Sequence, residues 1–161
     1  MLRIKKNIFI NATSEKVWFF LLSLKHSMSM NRSHAKIDFP SDFHSEINKR
    51  FQIHQNFAIV KYIFNSTIVT KQPFEKLILL KKISNNSDFQ HTVSYTIRLT
   101  NNNVELEYDL SGDFGSKILE ISLKPILHGI IIDELRNIKS AIESSNKVIS
   151  HQNRVKKLKP I

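Results

Sequence analysis

The sequence contains no cysteine and only three glycines in its 161 residues. Without cysteine the chain can form no disulfide, thiolate nucleophile, cysteine-ligated zinc site or iron–sulfur cluster. Three glycines leave almost no room for a glycine-rich phosphate-binding loop. The seven histidines are scattered and lack the i, i+4 helical spacing of a zinc site, and no nucleophile elbow or Ser-His-Asp order is present. We therefore predict no metal, no cofactor and no catalytic residue.

Long apolar runs are missing as well. The apolar clusters at 17–22 and 130–132 fall far short of the roughly 20 residues that span a bilayer. The N-terminal residues lack the apolar stretch and the small-residue cleavage site of a secretory signal. From these absences we expect a soluble, cytoplasmic protein.

Acidic residues are scarcer than basic ones, since 24 lysines and arginines oppose 14 aspartates and glutamates, for a formal net charge of +10. Residues 151–161 carry four of the basic residues and no acid. This tail would suit an anionic membrane surface or a protein partner, whereas the alternative is that the charge only keeps the chain in solution. Nucleic acid is disfavoured, because the aromatic residues fall mostly on apolar strand faces. Nothing in the pattern sets an oligomeric state.

Apolar residues that alternate with polar ones predict a mostly antiparallel sheet. One strand is predicted at 2–10, and further strands follow between residues 35 and 111, joined by short polar turns, for six to seven strands in all. One alternating run starts at Ile47, and Gly112, Gly115 and Ser116 are expected to end the sheet. The acidic residues of that strand, Glu105, Glu107 and Asp109, share the face opposite to its apolar one. They should be solvated, and they could pair with Arg3 and Lys5 of the first strand if the first and last strands are neighbours, as the family resemblance given below implies.

Helical spacing predicts helices on either side of these strands. Thr13 is a good N-cap for a first helix, and residues 25–34 form a loop or a short second helix. An apolar stripe predicts a long helix from Lys117 to about Ser145, with a kink or a separate first turn near Pro125. The fold class is therefore α+β, with one domain at 1–145 and a flexible basic tail at 146–161.

This order of elements resembles the helix-grip fold of the START-like (SRPBCC) superfamily. Three segments carry the resemblance: Ile8–Trp18 reads as the opening strand, polar turn and Val-Trp pair, residues 72–77 place a proline before a middle strand, and residues 133–143 are similar to the end of the last helix. The superfamily includes polyketide cyclases, the birch-pollen-allergen family, lipid-transfer START domains and an accessory family of carbon monoxide dehydrogenase. The resemblance implies a cavity between the curved sheet and the long helix that holds an apolar or amphipathic small molecule.

The residues predicted to face this cavity come from the apolar strand faces and from one face of the long helix. They form the candidate cavity set: Phe51, Ile53, Tyr62, Tyr95, Ile97, Leu106, Tyr108, Leu127, His128, Ile131 and Leu135. The tyrosines are the most informative members, because a buried phenol needs a hydrogen-bond partner. The same side chains could equally fill the space as solid core, and His128 could instead sit at a helix–loop boundary.

Three functions remain open at this point. The leading hypothesis is non-enzymatic binding or transport of a lipid-like small molecule, since no catalytic group stands out. The second is a cyclase or aromatase type of enzyme, in which a cavity Tyr, His or Arg98 polarises a carbonyl, although Arg98 falls on the polar side of its strand. The third is an accessory protein, similar to the carbon monoxide dehydrogenase accessory family, that contacts an anionic membrane or a protein partner.

Overall fold

The computed structural model describes residues 1–57, 60–83, 86–101 and 103–157, and within these it describes 86–88 and 145–157 by their backbone alone. Eleven elements follow one another along the chain. They are β1 (Leu2–Ile10), α1 (Ser14–Leu22), α2 (Leu24–Ser27), a 3-10 turn (Met28–Met30), β2 (His34–Asp38), β3 (Arg50–Phe57), β4 (Val60–Gln72), β5 (Lys76–Ile83), β6 (Asn86–Leu99), β7 (Val104–Phe114) and α3 (Lys117–Lys157).

The seven strands form one antiparallel sheet in the order β1-β7-β6-β5-β4-β3-β2. All neighbours in this order except β1 and β7 are consecutive in sequence, as expected for strands joined by short turns. The first helix begins where predicted, because the Thr13 side chain accepts a hydrogen bond from the Lys16 amide. The predicted α+β class is confirmed.

Helix α3 packs chiefly against β1 and β7. Its buried residues recur every three or four positions, which places them on one face of the helix. Asn137 donates to the Met30 carbonyl at 2.9 Å, and Lys139 donates to the Phe9 carbonyl at 2.6 Å, so polar contacts fix the helix against the first third of the chain. The buried α3 face consists of Leu123, Leu127, Ile131, Glu134, Leu135, Ile138 and Ile142.

Three predicted boundaries differ from the structure. Strand β3 begins at Arg50 instead of Ile47, because Asn48 has a φ of 67°, outside the range of a strand. Strand β7 continues through Gly112, since Gly112 pairs with His91 of β6 and with Leu2 of β1, and it ends at Phe114, directly before the predicted Gly115 and Ser116.

Helix α3 also differs from its prediction. It is continuous through Pro125, so the predicted separate first turn is wrong. It runs to Lys157, beyond the predicted end near Ser145, because helix propagation needs no apolar face once the helix has started. The flexibility of the tail stays a prediction, and residues 158–161 lie outside the described residues. Among the described residues, no helix combines the length and the apolar character needed to cross a membrane.

Charged side chains cover the outer face of the sheet at β1, β7 and β6. We call Arg3, Lys5, Arg98, Glu105, Glu107 and Asp109 the outer charge cluster. The predicted pairing is confirmed: Arg3 pairs with Asp109, and Lys5 lies 2.9 Å from Glu107. Arg98 joins them at 2.7 Å from Glu107, which holds the pKa of that carboxyl below its usual range, with Lys5 adding to the effect. The expectation that these acids are solvated is wrong for Glu107, which is only 8% exposed.

Candidate functional site

The candidate cavity set lies on the inner face of the sheet and on the helix face that covers it. Tyr62 and His128 are half-buried, and the other nine members are buried. Phe51 stacks on Phe39 with ring centroids 5.1 Å apart, so this member packs within a small aromatic group. The structure thus places the predicted residues around one interior, and whether they contact a ligand stays a prediction.

A buried carboxylate lies at the centre of this interior. Glu134 projects from the apolar face of α3 and is 1% exposed. The Tyr95 hydroxyl donates to Glu134 Oε1 at 2.5 Å, and Asn31 Nδ2 donates to Oε2 at 2.7 Å. Tyr95 has therefore found the polar partner that a buried phenol requires.

Further hydrogen bonds connect Glu134, through Asn31 and Ser33, to Gln55 on β3. Asn31 Oδ1 accepts from the Ser33 hydroxyl at 2.5 Å and from the Ser33 amide at 3.0 Å. Gln55 Nε2 on β3 then donates to Ser33 Oγ at 2.8 Å. This series of hydrogen bonds ends at Gln55, because its Oε1 atom is buried and has no hydrogen-bond partner among the described residues.

A second line of polar side chains crosses the inner face from strand to strand. Lys81 of β5 lies directly opposite Ser66 of β4 on one side and His91 of β6 on the other. All three are buried. Ser66 Oγ and His91 Nδ1 have no hydrogen-bond partner among the described residues. A buried polar atom without a partner costs roughly 1–3 kcal/mol, so two of them on either side of one buried lysine are unusual in a native interior.

Lys81 and His34 connect this line to β2. The His34 Nδ1–H donates to the Met28 carbonyl at 2.8 Å, which leaves Nε2 as the acceptor of a neutral ring. Lys81 Nζ lies 3.4 Å from that nitrogen. No carboxylate of the described residues forms an ion pair with Lys81. We call the whole group the inner polar cluster: Asn31, Ser33, His34, Gln55, Ser66, Lys81, His91, Tyr95 and Glu134.

Burial dominates the ionisation of the inner polar cluster. It lowers the pKa of Lys81 to about 8, although the negative charge of Glu134 opposes the shift. It raises the pKa of Glu134, against the hydrogen bond from Tyr95 and the charge of Lys81. It lowers the pKa of His34 and of His91 well below the usual value, and Lys81 adds to both shifts. Near neutral pH, the interior therefore contains two neutral imidazoles and an amine that can lose its proton.

Gly112 allows the His91 ring to occupy its position. A Cβ atom on Gly112 would lie 2.6 Å from the His91 Cβ and 2.3 Å from the Gln90 carbonyl oxygen, so no other residue fits here. With that space open, the imidazole stacks on Phe114 at 4.8 Å and meets Phe64 edge-on at 5.1 Å. The Nδ1 atom of the ring has no hydrogen-bond partner among the described residues and is available to bind a ligand.

Comparisons with known proteins were made for sequence and for structure. No protein-family model matches the chain, and no curated protein matches it. Solved structures do match. The di-domain aromatase/cyclase StfQ of the steffimycin biosynthetic pathway aligns with a TM-score of 0.72 and 13% identity over 90% of this chain, which spans about half (51%) of the StfQ chain. The Zhui aromatase/cyclase from Streptomyces sp. R1128 aligns with a TM-score of 0.68 and 9% identity, covering 88% of this chain and 93% of that one.

A third match is a point mutant of norcoclaurine synthase from Thalictrum flavum in complex with a transition-state analogue. Its TM-score is 0.69 at 6% identity, over 90% of this chain and 96% of that one. The fold that these matches show is the helix-grip fold. In the helix-grip fold of this chain, β1 and β7 support the long helix, and the inner polar cluster lies on the sheet face that the helix covers.

Only Tyr95 of the inner polar cluster was predicted from the sequence as a candidate. The missed residues on strands β3–β6 and on α3 carried a usable signal, because each has the same spacing as its buried apolar neighbours, whereas Asn31 and Ser33 lie between the 3-10 turn and β2. Lys81 follows Leu77 and Leu79 at every second position, His91 precedes Val93 likewise, and Glu134 lies three residues after Ile131 on the helix. A polar residue that shares the spacing of the buried apolar residues in its strand or helix is itself buried. Such a residue is a candidate for the site.

The part of this helix-grip fold that the structure describes has no group of three His, Asp or Glu side chains that could hold a metal ion. A groove of about 870 Å³ lies on the outer face of β3–β5, lined mainly by outward-facing residues such as Arg50, Asn65 and Lys82. It shares only Phe51 with the candidate cavity set. The buried polar atoms of the inner face are therefore the stronger indication of a site.

Proposed function

We propose that the protein binds an amphipathic small molecule between the sheet and α3, with the polar end of the molecule at the inner polar cluster. One observation carries the proposal: Gln55 Oε1, Ser66 Oγ and His91 Nδ1 are buried on one interior face and have no hydrogen-bond partner among the described residues. A ligand oxygen or hydroxyl would complete these hydrogen bonds and would recover the free energy that the apo protein lacks.

The side chains around these atoms indicate the chemical character of the rest of the ligand. Apart from the inner polar cluster, the inner face is made of aliphatic and aromatic side chains, among them Phe64, Phe89 and Leu79. An apolar body would bind there through burial of its surface. Lys81 provides the one cationic group among the described residues of this interior, so an anionic or neutral polar end is favoured over a cationic one.

A second function is favoured by a different observation. Lys81 and Glu134 are an amine and a carboxyl whose pKa values are shifted towards neutrality by burial, which is the arrangement that acid–base chemistry requires. Two of the structural neighbours named above are aromatase/cyclases. The protein would then be an enzyme that converts the molecule it binds. This is the cyclase or aromatase hypothesis drawn from the sequence. The accessory role through the basic tail stays a prediction, because the side chains of 145–161 lie outside the described ones, and a cytoplasmic location stays a prediction too.

Native mass spectrometry with eight-carbon probes tests the binding proposal. Purified protein is titrated separately with 1-octanol, octanoate and octylamine. We expect 1-octanol and octanoate to bind with one-to-one stoichiometry and octylamine to bind at least about tenfold more weakly, a difference of about 1.4 kcal/mol. Extraction of the freshly purified protein should also release a co-purifying small molecule.

Two substitutions locate the bound polar end. Ser66→Ala and His91→Phe remove the unpartnered atoms, and each should weaken octanoate binding about tenfold. Thr67→Val is the matched control, because Thr67 is the next residue on β4 and lines the outer groove. If none of the three probes binds, or if Thr67→Val weakens binding while the two inner variants do not, the proposal is wrong.

A further inference from the structure

The strongest unexplained group in the molecule is the Lys81 amine. The residue is 3% exposed, and its neighbours on the same face of β5, Leu77 and Leu79, are fully buried. A buried ammonium is normally balanced by a carboxylate, because an isolated charge is expensive to remove from water. Lys81 has no such ion pair among the described residues, and the one hydrogen bond described for it is to a neutral imidazole nitrogen. Methionine would fill this position at lower cost.

The groups around Lys81 are those that an amine nucleophile needs. Ser66 and His91 flank it in the strand register with unpartnered polar atoms, which can hold an oxygen next to the amine. His34 presents a nitrogen lone pair at 3.4 Å, which can take a proton from the ammonium and return it. Glu134 is the remaining charged group facing this interior, and its raised pKa shows that burial disfavours its ionised form.

Resting on the proposed function, we propose that Lys81 is a nucleophilic amine that forms an iminium with the aldehyde or ketone group of the bound amphipathic molecule. The polar end of the ligand is then a carbonyl, and its apolar body lies along the inner face of the sheet. The flanking Ser66 and His91 bind the carbonyl oxygen before and during the reaction.

The step balances without any further reactant. The ammonium gives one proton to His34 Nε2, and the free amine attacks the carbonyl carbon, so that a C–N bond forms while the C=O π electrons move to oxygen. The proton on His34 and the remaining excess proton on nitrogen pass to that oxygen, which leaves as water when the nitrogen lone pair forms the C=N bond. Ammonium and carbonyl have become iminium and water, with no change in total charge.

The reactivity of Lys81 should exceed that of surface lysines. With a pKa of about 8, about a tenth of its amines are unprotonated at pH 7, whereas an ordinary lysine with a pKa near 10.4 is unprotonated to about 0.04%. The difference in free amine is about 200-fold, and the lower intrinsic nucleophilicity of a less basic amine reduces it. We therefore expect at least about tenfold selectivity for Lys81.

Reductive trapping with octanal tests the inference. Native protein at pH 7 is incubated with octanal and cyanoborohydride, and the octyl adduct on each lysine is quantified by peptide mass spectrometry. We expect Lys81 to be modified at least about tenfold faster than the exposed Lys82 next to it, with a rate that rises towards a plateau above pH 8. When the protein is unfolded in urea, Lys81 and Lys82 should be modified at similar rates. Octanol, which has no carbonyl, should protect Lys81 by competition.

Two variants and one parallel measurement make every outcome decisive. Lys81→Met should abolish the preferred adduct, and Lys82→Met should leave it unchanged. Binding of octanol and octanal is measured by native mass spectrometry without reductant. If both bind but Lys81 reacts no faster than Lys82, the iminium is wrong and the binding function stands. If neither binds, the proposed function fails and the iminium fails with it. If urea leaves the preference intact, the folded site is not its cause and the inference is overturned.

Discussion

The charged side chains on the two faces of the sheet differ in whether an opposite charge lies beside them. On the outer face, each member of the outer charge cluster lies beside an opposite charge, as in the contacts of Glu107 with Arg98 at 2.7 Å and Lys5 at 2.9 Å. On the inner face, Lys81 has no ion pair among the described residues, and the oxygens of Glu134 accept from the uncharged donors Tyr95 and Asn31. Water can reach the first cluster, whereas it is largely excluded from the second.

The difference separates charge that serves the fold from charge that needs another explanation. Exposed, paired charges contribute little and are cheap to keep. Buried charges without matched partners destabilise the folded state, and such groups persist where a ligand or a reaction requires them. Removing the buried amine of Lys81 and removing a paired charge of the outer face should therefore change stability with opposite sign.

The largest effect is expected from Lys81→Met. The lowered pKa of Lys81 means that the folded protein disfavours the ammonium, so the wild type loses stability as the pH falls from about 10.4 through about 8. Removing the charge should stabilise the protein by as much as about 3 kcal/mol at pH 7, and by nothing above about pH 10.5. Urea unfolding at pH 7 and at pH 10.5 measures both values.

The control for this prediction is Lys82→Met, on the exposed side of β5. It should change the free energy of unfolding by less than about 0.5 kcal/mol at either pH. A Lys81→Met protein that is less stable than the wild type at pH 7 would show that the amine contributes to the fold, and the contrast between the two faces would be lost.

The second prediction concerns Tyr95→Phe. This change removes the 2.5 Å hydrogen bond to Glu134 and should cost about 2 kcal/mol at pH 7, because the buried carboxyl oxygen loses its hydrogen-bond donor. Since the Tyr95 hydroxyl lowers the pKa of Glu134, its loss raises that pKa further. The cost should therefore be smaller at pH 4 than at pH 7, because the Tyr95 hydrogen bond favours the ionised form of Glu134.

Tyr108→Phe is the matched variant for this test. Tyr108 packs edge-on against Tyr95 with ring centroids 5.1 Å apart, and both rings are buried. No hydrogen bond joins it to Glu134 among those described, so its loss should cost less than that of the Tyr95 hydroxyl and should not depend on pH between 4 and 7. Equal costs at both positions would mean that the bond to Glu134 adds nothing.

Much of the fold could be predicted because local pattern and long-range structure agree. Alternation defined β1 and β7, and their predicted neighbourhood placed Arg3 and Lys5 opposite the acids of β7. Boundaries were harder, because they depend on contacts outside the segment. Gly112 reads as a strand end by composition, yet it pairs on both sides and makes room for His91.

The candidate site was less predictable, for a physical reason. Its residues are brought together by strand register, which sets Ser66, Lys81 and His91 side by side, and by the position of α3 over the sheet. Register depends on turns and bulges, such as the shift between Ile68 and Thr70, that periodicity does not reveal. The position of each polar residue in the apolar repeat predicts that it is buried. That position does not predict which side chains it contacts.

A smaller effect of opposite sign to that of Lys81→Met is expected from Glu107→Gln. The pKa of Glu107 is lowered mainly by Arg98, so its contribution to stability is present above the unfolded pKa near 4.3 and is lost as the pH falls through the lower folded value. We expect the substitution to cost about 1 kcal/mol at pH 7 and to be almost neutral at pH 3. Thermal unfolding at the two pH values checks this, and a stabilised Glu107→Gln protein at pH 7 would contradict it.

The smallest effect, and the sharpest test of solvent access, is expected from Lys5→Met. The Lys5 ammonium is about half exposed, so its pair with Glu107 should contribute no more than about 0.5 kcal/mol. Salt at about 1 M screens exposed charges within about 3 Å, and it should remove this contribution. The stabilisation by Lys81→Met should persist in the same salt, because its origin is burial of a charge rather than attraction across water. Urea unfolding of both variants with and without 1 M sodium chloride compares the two faces directly, and salt effects of equal size would show that water reaches Lys81 as easily as it reaches Lys5.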